Sequence, residues 1–294
     1  PCELATNPTG DPSTLPSFVP NQPKHYISNA QHRLRPQPFV ISGNMSAQYS
    51  RTIVVTGASR GLGLEWVRQL SDDGQNLVVA VVRNPENAKR SDTLLRHNVT
   101  VVKGDMSDLD SFSSLAAEIS KVGGGKVDIL INNAGVMIGT GAEPQTGISK
   151  STLEEWGDQF NINVISLVFF TIALLPFLEN GRYKKVVNVA SMLGDVSYAL
   201  ARPELQFSSY AVTKAAVTMA NAKFHVEFKD KGFTFLALNP GWVNTDLAGK
   251  GKGVNAPLQP EDSIRQCLNF VYRSGPQDSG KFFSLDGRPE AVLA

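Results

Sequence analysis

The stretch from Thr52 to Gly63 narrows the choice of fold more than any other part of the chain. A short β-branched run ends in Thr56-Gly57-Ala58-Ser59-Arg60-Gly61-Leu62-Gly63, and the residues beyond it repeat at helical spacing. The glycines therefore fall where a strand turns into a helix. Without Cβ atoms, backbone N–H groups there can close on an anion at the positive end of the helix dipole. A packing turn would need no ligand, but a position at the head of a βαβ unit favours a phosphate cradle.

Downstream, β-branched runs alternate with helical periods. Strands are expected at 52–56, 77–82, 99–102, 127–131, 185–189, 233–238 and 281–284, and helices at 62–71, 108–122, 153–178, 210–230 and 261–272. The strands are nearly continuous in Val, Ile, Leu and Phe, which suits burial on both faces. The pattern predicts a single α/β domain: a Rossmann-type doubly wound parallel β-sheet with helices on both faces, spanning 49–294. Residues 1–48 form a Pro-rich extension. Eight of the seventeen prolines lie before Met45, and so little apolar surface cannot offset ordering entropy, so disorder is expected there. A targeting peptide or an extension upstream of Met45 are the readings of that segment.

The balance of the chain excludes several partners. A formal charge of +1 without blocks of one sign leaves no electrostatic footprint for nucleic acid. No apolar run reaches the roughly 18 residues of a membrane span, so no membrane partner is expected. Cys2 and Cys267 are far apart, and His25, His32, His97 and His225 are scattered, so no metal site is expected. Free thiols and the lack of a secretory segment point to the cytoplasm. A small molecule is the expected partner.

Its chemistry follows from the strand ends. About twenty residues past such a glycine turn, an acidic side chain would hold the 2′-hydroxyl of NAD; here Arg83 stands instead. A guanidinium pairs with a 2′-phosphate, and Arg60 within the turn can reach the same group, so NADP(H) is expected unless both arginines are merely solvated. Asp105 and Met106 follow the third strand and Asn133, Ala134 and Gly135 the fourth, at the sheet edge where dinucleotides bind.

Tyr210 and Lys214 open a helical segment, and their spacing of four puts phenol and ammonium on one face. Ser191 ends the fifth strand at the same sheet edge. A tyrosine titrating at about 10 becomes a useful acid–base group if a lysine charge and an oxidised nicotinamide lower that value. Hydride transfer to a carbonyl, with Tyr210 as proton donor and Ser191 bonding the oxygen, is the reaction this set suits. Lys214 would also hold ribose hydroxyls. Asn163 would anchor a water leading to Lys214, or be satisfied by backbone alone. Tyr198 lacks a lysine four residues on and is read as a pocket residue.

These motifs, in this order, resemble the short-chain dehydrogenase/reductase family from about Thr52 onward. TGASRGLG is similar to its glycine motif (Gly57, Ser59, Arg60, Gly61, Leu62, Gly63), NNAG to its post-strand signature, and Ser191, Tyr210, Lys214 and Asn163 to its catalytic set. Pro240-Gly241-Trp242-Val243-Asn244-Thr245 resembles its proline-glycine turn, which implies that Pro240, Gly241, Val243 and Thr245 border the nicotinamide. GASRGLGLE and NPGWVNTDL resemble Sniffer-like carbonyl reductases and fungal polyketide ketoreductases. The resemblance implies a carbonyl/alcohol substrate and a homo-oligomer, dimer or tetramer, built through the helices near Leu153 and Tyr210. Two features depart from the pattern. Ser191 and Tyr210 are nineteen positions apart, implying an extra loop around Pro203 beside the substrate pocket, and Ser166 stands where glycine is usual. Met192, Leu193, Tyr198, Phe207 and Trp242 suit an apolar or aromatic carbonyl or are ordinary core filling, and 248–257 reads as a lid or, through Lys250 and Lys252, as a solvated surface segment. An NADP(H)-binding regulatory module and a sugar-nucleotide epimerase or dehydratase are the rival readings.

Overall fold

The computed structural model describes residues 48–88, 91–248, 256–285 and 292–293. The Pro-rich extension before residue 48 lies outside them, as does most of the expected lid with Lys250 and Lys252. In chain order the elements are β1 (Arg51–Thr56), α1 (Gly61–Ser71), β2 (Asn76–Val82), α2 (Pro85–Ala88), β3 (Val99–Lys103), α3 (Phe112–Val122), β4 (Ile129–Asn132), α4 (Leu153–Phe160), α5 (Ser166–Glu179), β5 (Lys185–Val189), α6 (Val196–Ala201), α7 (Ser208–Phe228), β6 (Thr234–Asn239), α8 (Pro260–Arg273), β7 (Phe282–Ser284) and β8 (Val292–Leu293).

Strand side chains alternate between two cores, which is why the strands read as unbroken apolar runs. Ile53, Val55, Val78, Ala80 and Val82 pack with Trp66, Val67 and Leu70 of α1 and Ile264, Cys267 and Val271 of α8. Val54, Val79 and Val81 face the opposite way, toward Phe112, Leu115 and Ile119 of α3, Phe170, Leu174 and Leu178 of α5, and Phe224 and Phe228 of α7. The sheet order is β3-β2-β1-β4-β5-β6-β7-β8. All pairings are parallel except β7 with β8, where Phe282 and Phe283 oppose Leu293 and Val292. The expected doubly wound sheet is present, with this short antiparallel edge added. The chain reverses its direction of winding between β1 and β4, and that switch point opens a crevice at the strands' carboxyl ends.

Two helical expectations need correction. The helix expected over 153–178 is broken into α4 and α5 by a π-helical turn, Asn161–Ile165, in which Ser166 N–H donates to Asn161 O, five residues back. Such turns commonly mark functional positions, and this one carries Asn163. Taken whole, Leu153–Glu179 is long and apolar enough to cross a membrane by length and composition, although polar residues interrupt its apolar runs. Its Phe170, Leu174 and Leu178 are nonetheless spent in the core against α3 and the sheet. The insertion between Ser191 and Tyr210 is also more than a loop: α6 occupies part of it and ends at Ala201, two residues before Pro203.

Candidate active site

The carboxyl ends of β1 and β4 border a cleft of about 1040 Å³. Thr56 fixes its base: Thr56 Oγ1 accepts the N–H groups of Asn133 (3.1 Å) and Ala134 (3.0 Å), while Asn133 Nδ2 donates to Thr56 O (3.0 Å). Gly57 and Gly61 hold φ of +65° and +54°, a backbone path that L side chains resist. Gly63 serves a different end. A Cβ there would lie 2.1 Å from Gly57 O and 2.6 Å from Asn133 Nδ2, so its bareness is what lets α1 seat against the turn. The Arg60 side chain does not cap α1, and its first-turn N–H groups face the turn without a side-chain acceptor from that position.

All six expected residues of the glycine turn line the cleft, as do Arg83, Asp105, Met106, Asn133, Ala134, Gly135, Pro240, Gly241, Val243 and Thr245. Burial pushes the Asp105 carboxyl up, but the Ser107 N–H and hydroxyl and the Arg83 charge outweigh it and hold the group below its ordinary range. Arg60 lies 3.8 Å from Asp246, both side chains largely in solvent, a pairing too weak to lock the guanidinium. The 240–245 segment is pinned by Ser263 Oγ, which donates to Pro240 O (2.7 Å), and by Asn244 N–H, which donates to Leu258 O (3.0 Å).

At the other end of the cleft Ser191, Tyr210 and Lys214 come together. The Ser191 hydroxyl is near enough to the Tyr210 phenol to favour its ionised form. Lys214 Nζ donates to Val189 O (2.7 Å) and lies 5.5 Å from the Tyr210 ring centroid. Burial moves the two groups in opposite directions. The phenol is pushed well above its ordinary value, the Ser191 hydroxyl opposing only part of that, and the ammonium is lowered to about 8. In the protein alone burial therefore favours the neutral phenol, whereas the lowering expected from the sequence invokes an oxidised nicotinamide beside the lysine charge.

Asn163 is buried beside this group rather than in the cleft wall. Its Nδ2 donates to Val136 O (2.9 Å) and Thr213 Oγ1 (3.0 Å), and its Oδ1 accepts Val136 N–H (2.8 Å). Both donors are used and one acceptor lone pair remains. A Cβ on Gly135 would sit 3.3 Å from Asn163 Oδ1 and 3.7 Å from Lys214 Nζ, so the space between them exists because residue 135 lacks a side chain. Ser166, the departure from the family pattern, is buried and donates to Ile162 O (2.6 Å) within the π turn.

Met192, Leu193, Tyr198, Phe207 and Trp242 all line the cleft, as do Arg202 and Leu205 of the extra stretch expected beside the pocket, and the structure adds Glu143, Pro144 and Gln145, which the sequence reading missed. The last two groups come from loops distant in sequence, joined by Gln206 N–H donating to Pro144 O (2.7 Å). Only a pairing signal between the loops could have revealed Glu143, Pro144 and Gln145.

The sequence profile of the family described as short chain dehydrogenase matches residues 51–253. The short-chain dehydrogenase/reductase atnB of Arthrinium sp is 33% identical over 256 residues, covering 79% of this chain and 96% of that protein. AacuF of Aspergillus aculeatus, of the same description, is 34% identical over 242 residues, covering 74% and 90%. Among solved structures, the NADPH-bound carbonyl reductase from chicken fatty liver is 26% identical with a TM-score of 0.74, covering 85% of this chain and 96% of its own. The carbonyl reductase Sniffer of D. melanogaster is 26% identical with a TM-score of 0.72, covering 83% and 99%.

Proposed function

The chain belongs to the short-chain dehydrogenase family, in a branch similar to fungal members and to Sniffer-like carbonyl reductases, and on that premise we propose that it is an NADP(H)-dependent reductase converting a carbonyl to an alcohol with Tyr210 as proton donor. The observation that carries the reading is the convergence of Ser191, Tyr210 and Lys214 on the cleft that the glycine turn borders.

The residues present fit a dinucleotide with a 2′-phosphate. Gly57 and Gly61 give a bare, concave backbone at the N-terminus of α1, suited to a pyrophosphate. Arg60 and Arg83 line the same cleft and supply two guanidiniums for the phosphate. Asp105 is ionised and can accept from an adenine amino group, Met106 packs beside it, and Asn133 to Gly135 lie where a ribose would rest. Val243 and Thr245 line the same cleft and would meet the carboxamide. When bound, the nicotinamide supplies the hydride.

The chain's own groups supply the rest. Ser191 donates to the substrate oxygen, where negative charge develops. Tyr210, neutral and close to Ser191, delivers a proton to that oxygen. Lys214 would hold the ribose hydroxyls of the bound cofactor, and its charge would stabilise the phenolate left behind. A water in the gap kept open by Gly135 can accept from Lys214 and donate to the free lone pair of Asn163 Oδ1. Tyr198, Phe207 and Trp242 give the substrate end an aromatic lining that favours an apolar or aromatic carbonyl.

Exposed Phe169 and Ile172 on α5, with Val212, Met219 and Val226 at heptad spacing on α7, support homo-oligomerisation through these helices. The reading is tested by following NADPH absorbance with a panel of ketones, aldehydes and quinones. Turnover lost in Tyr210→Phe with NADPH binding kept is expected; binding without turnover across the panel would favour a regulatory module.

A further inference from the structure

Thr152-Leu153-Glu154-Glu155 has the spacing of a helix capping box, and half of it is plain: Glu155 N–H donates to Thr152 Oγ1 (3.2 Å). The Glu155 carboxylate does more than close that box. It accepts Thr140 N–H (3.1 Å), the Thr140 hydroxyl and the Ser209 hydroxyl (3.1 Å). One turn along α4, fully buried Gln159 donates to Ser209 Oγ (2.6 Å) and accepts Ile138 N–H (3.4 Å). Glu155 is 6% exposed, and a carboxylate stays charged in such surroundings only when fixed donors replace water. Burial pushes its titration up, yet the bonds from Thr140, Ser209 and, more weakly, Thr152 hold it below the ordinary range.

The turn it grips is shaped to receive it. A Cβ on Gly139 would lie 2.3 Å from Glu155 Oε2, and one on Gly141 would lie 2.6 Å from Ser209 Oγ. Farther along, the loop is held again where Pro144 O accepts Gln206 N–H. Between these two ties stands Phe207 with φ +40°. A bulky residue keeps that conformation only when its surroundings enforce it. Ser209 and Tyr210 follow in the first turn of α7.

We propose that Glu155 is a positioning residue for Tyr210: through Ser209 and Thr140 it clamps the strained Phe207 turn, the 139–145 loop and the start of α7 into the arrangement that aims the phenol. The inference rests on Tyr210 being the proton donor, and it concerns a group that touches neither substrate nor cofactor. Glu155→Gln keeps the side chain's size but turns one acceptor oxygen into a donor facing donors.

The test measures turnover, NADPH affinity and hydrogen exchange in wild type, Tyr210→Phe, Glu155→Gln, Ser209→Ala and the Glu155→Gln/Ser209→Ala pair. Expected is a kcat roughly ten- to a hundredfold lower in Glu155→Gln, the scale of an ångström-sized misplacement, with NADPH affinity unchanged. Peptides covering 137–145 and 205–212 should exchange faster while those of β1 to β3 do not. The double variant should be no slower than Glu155→Gln, since both changes cut one linkage. Should Glu155→Gln fail to fold, Ser209→Ala carries the same expectation. Unchanged kcat in either variant, with Tyr210→Phe inactive, overturns this inference and leaves the Tyr210 reading standing. A uniform loss of affinity and protection across the sheet makes Glu155 merely structural and also overturns it. No turnover by wild type on the carbonyl panel overturns both.

Discussion

Gly63→Ala isolates how closely the cofactor turn is built. The added Cβ would lie 2.1 Å from Gly57 O, 2.8 Å from Gly57 C and 2.6 Å from Asn133 Nδ2. The first two obstacles are backbone, so no side chain can swing aside, and the approach is more than an ångström short of ordinary contact. Either α1 withdraws from the turn or the turn moves away from Thr56 and Asn133. Overpacking of this kind costs about 1–3 kcal/mol, and each kcal/mol lowers Tm by roughly 2–4 °C in a domain of this size, so a fall of roughly 2–12 °C is expected. The same displacement spoils the path at Gly57 and Gly61, so NADPH affinity should fall with stability. Gly74→Ala is the control: nothing lies within 4 Å of its added Cβ, and stability should hold or rise by about 0.4–1 kcal/mol. Thermal melts with and without NADPH, and fluorescence titration of the cofactor, read both effects. A Gly63→Ala protein as stable as wild type and binding NADPH equally well would refute the argument.

Two further perturbations address charge. Lys214 titrates near 10.5 in an unfolded chain and at about 8 when folded. The unfolded state thus binds more protons between these values, and the lysine's contribution to stability rises with pH across that window and is lost as pH falls through 8. Lys214→Met removes this burden, up to about 3 kcal/mol at pH 7 less about 1 kcal/mol for the bond to Val189 O. Urea unfolding of cofactor-free protein should therefore show a stability gain at pH 7 that shrinks toward pH 9.5; a gain independent of pH would contradict the buried-charge account. Arg83→Asp should weaken NADPH binding roughly tenfold to a hundredfold, the value of a charge-assisted bond, and narrow or reverse the preference over NADH. Retained preference for NADPH would remove Arg83 from the phosphate site.

What the sequence disclosed was whatever depends on neighbours along the chain. The strand-turn-helix at Thr56 to Gly63, the Tyr210–Lys214 spacing and the apolar strand runs are local patterns, and they located the sheet, the cleft and the three side chains that meet in it. Features set by distant contacts stayed hidden. Asn163 was legible as a buried amide, but its hold on Val136 and Thr213 and the π turn that aims it come from packing. Phe207 carries no sign of its positive φ, and α6 was masked by the proline that ends it. The depth at which Tyr210 is buried, which raises its titration in the protein alone, is likewise not visible in the sequence.

The central claim is that one cleft holds both the redox carrier and the tyrosine that completes its reaction. A crystal structure with NADP+ bound tests it most directly. The account predicts the 2′-phosphate between Arg60 and Arg83, the pyrophosphate on the turn from Gly57 to Gly63, and the nicotinamide beside the Tyr210 hydroxyl with its carboxamide toward Val243 and Thr245. A cofactor whose nicotinamide lay away from Tyr210 and Ser191, or whose 2′-phosphate met neither arginine, would contradict it.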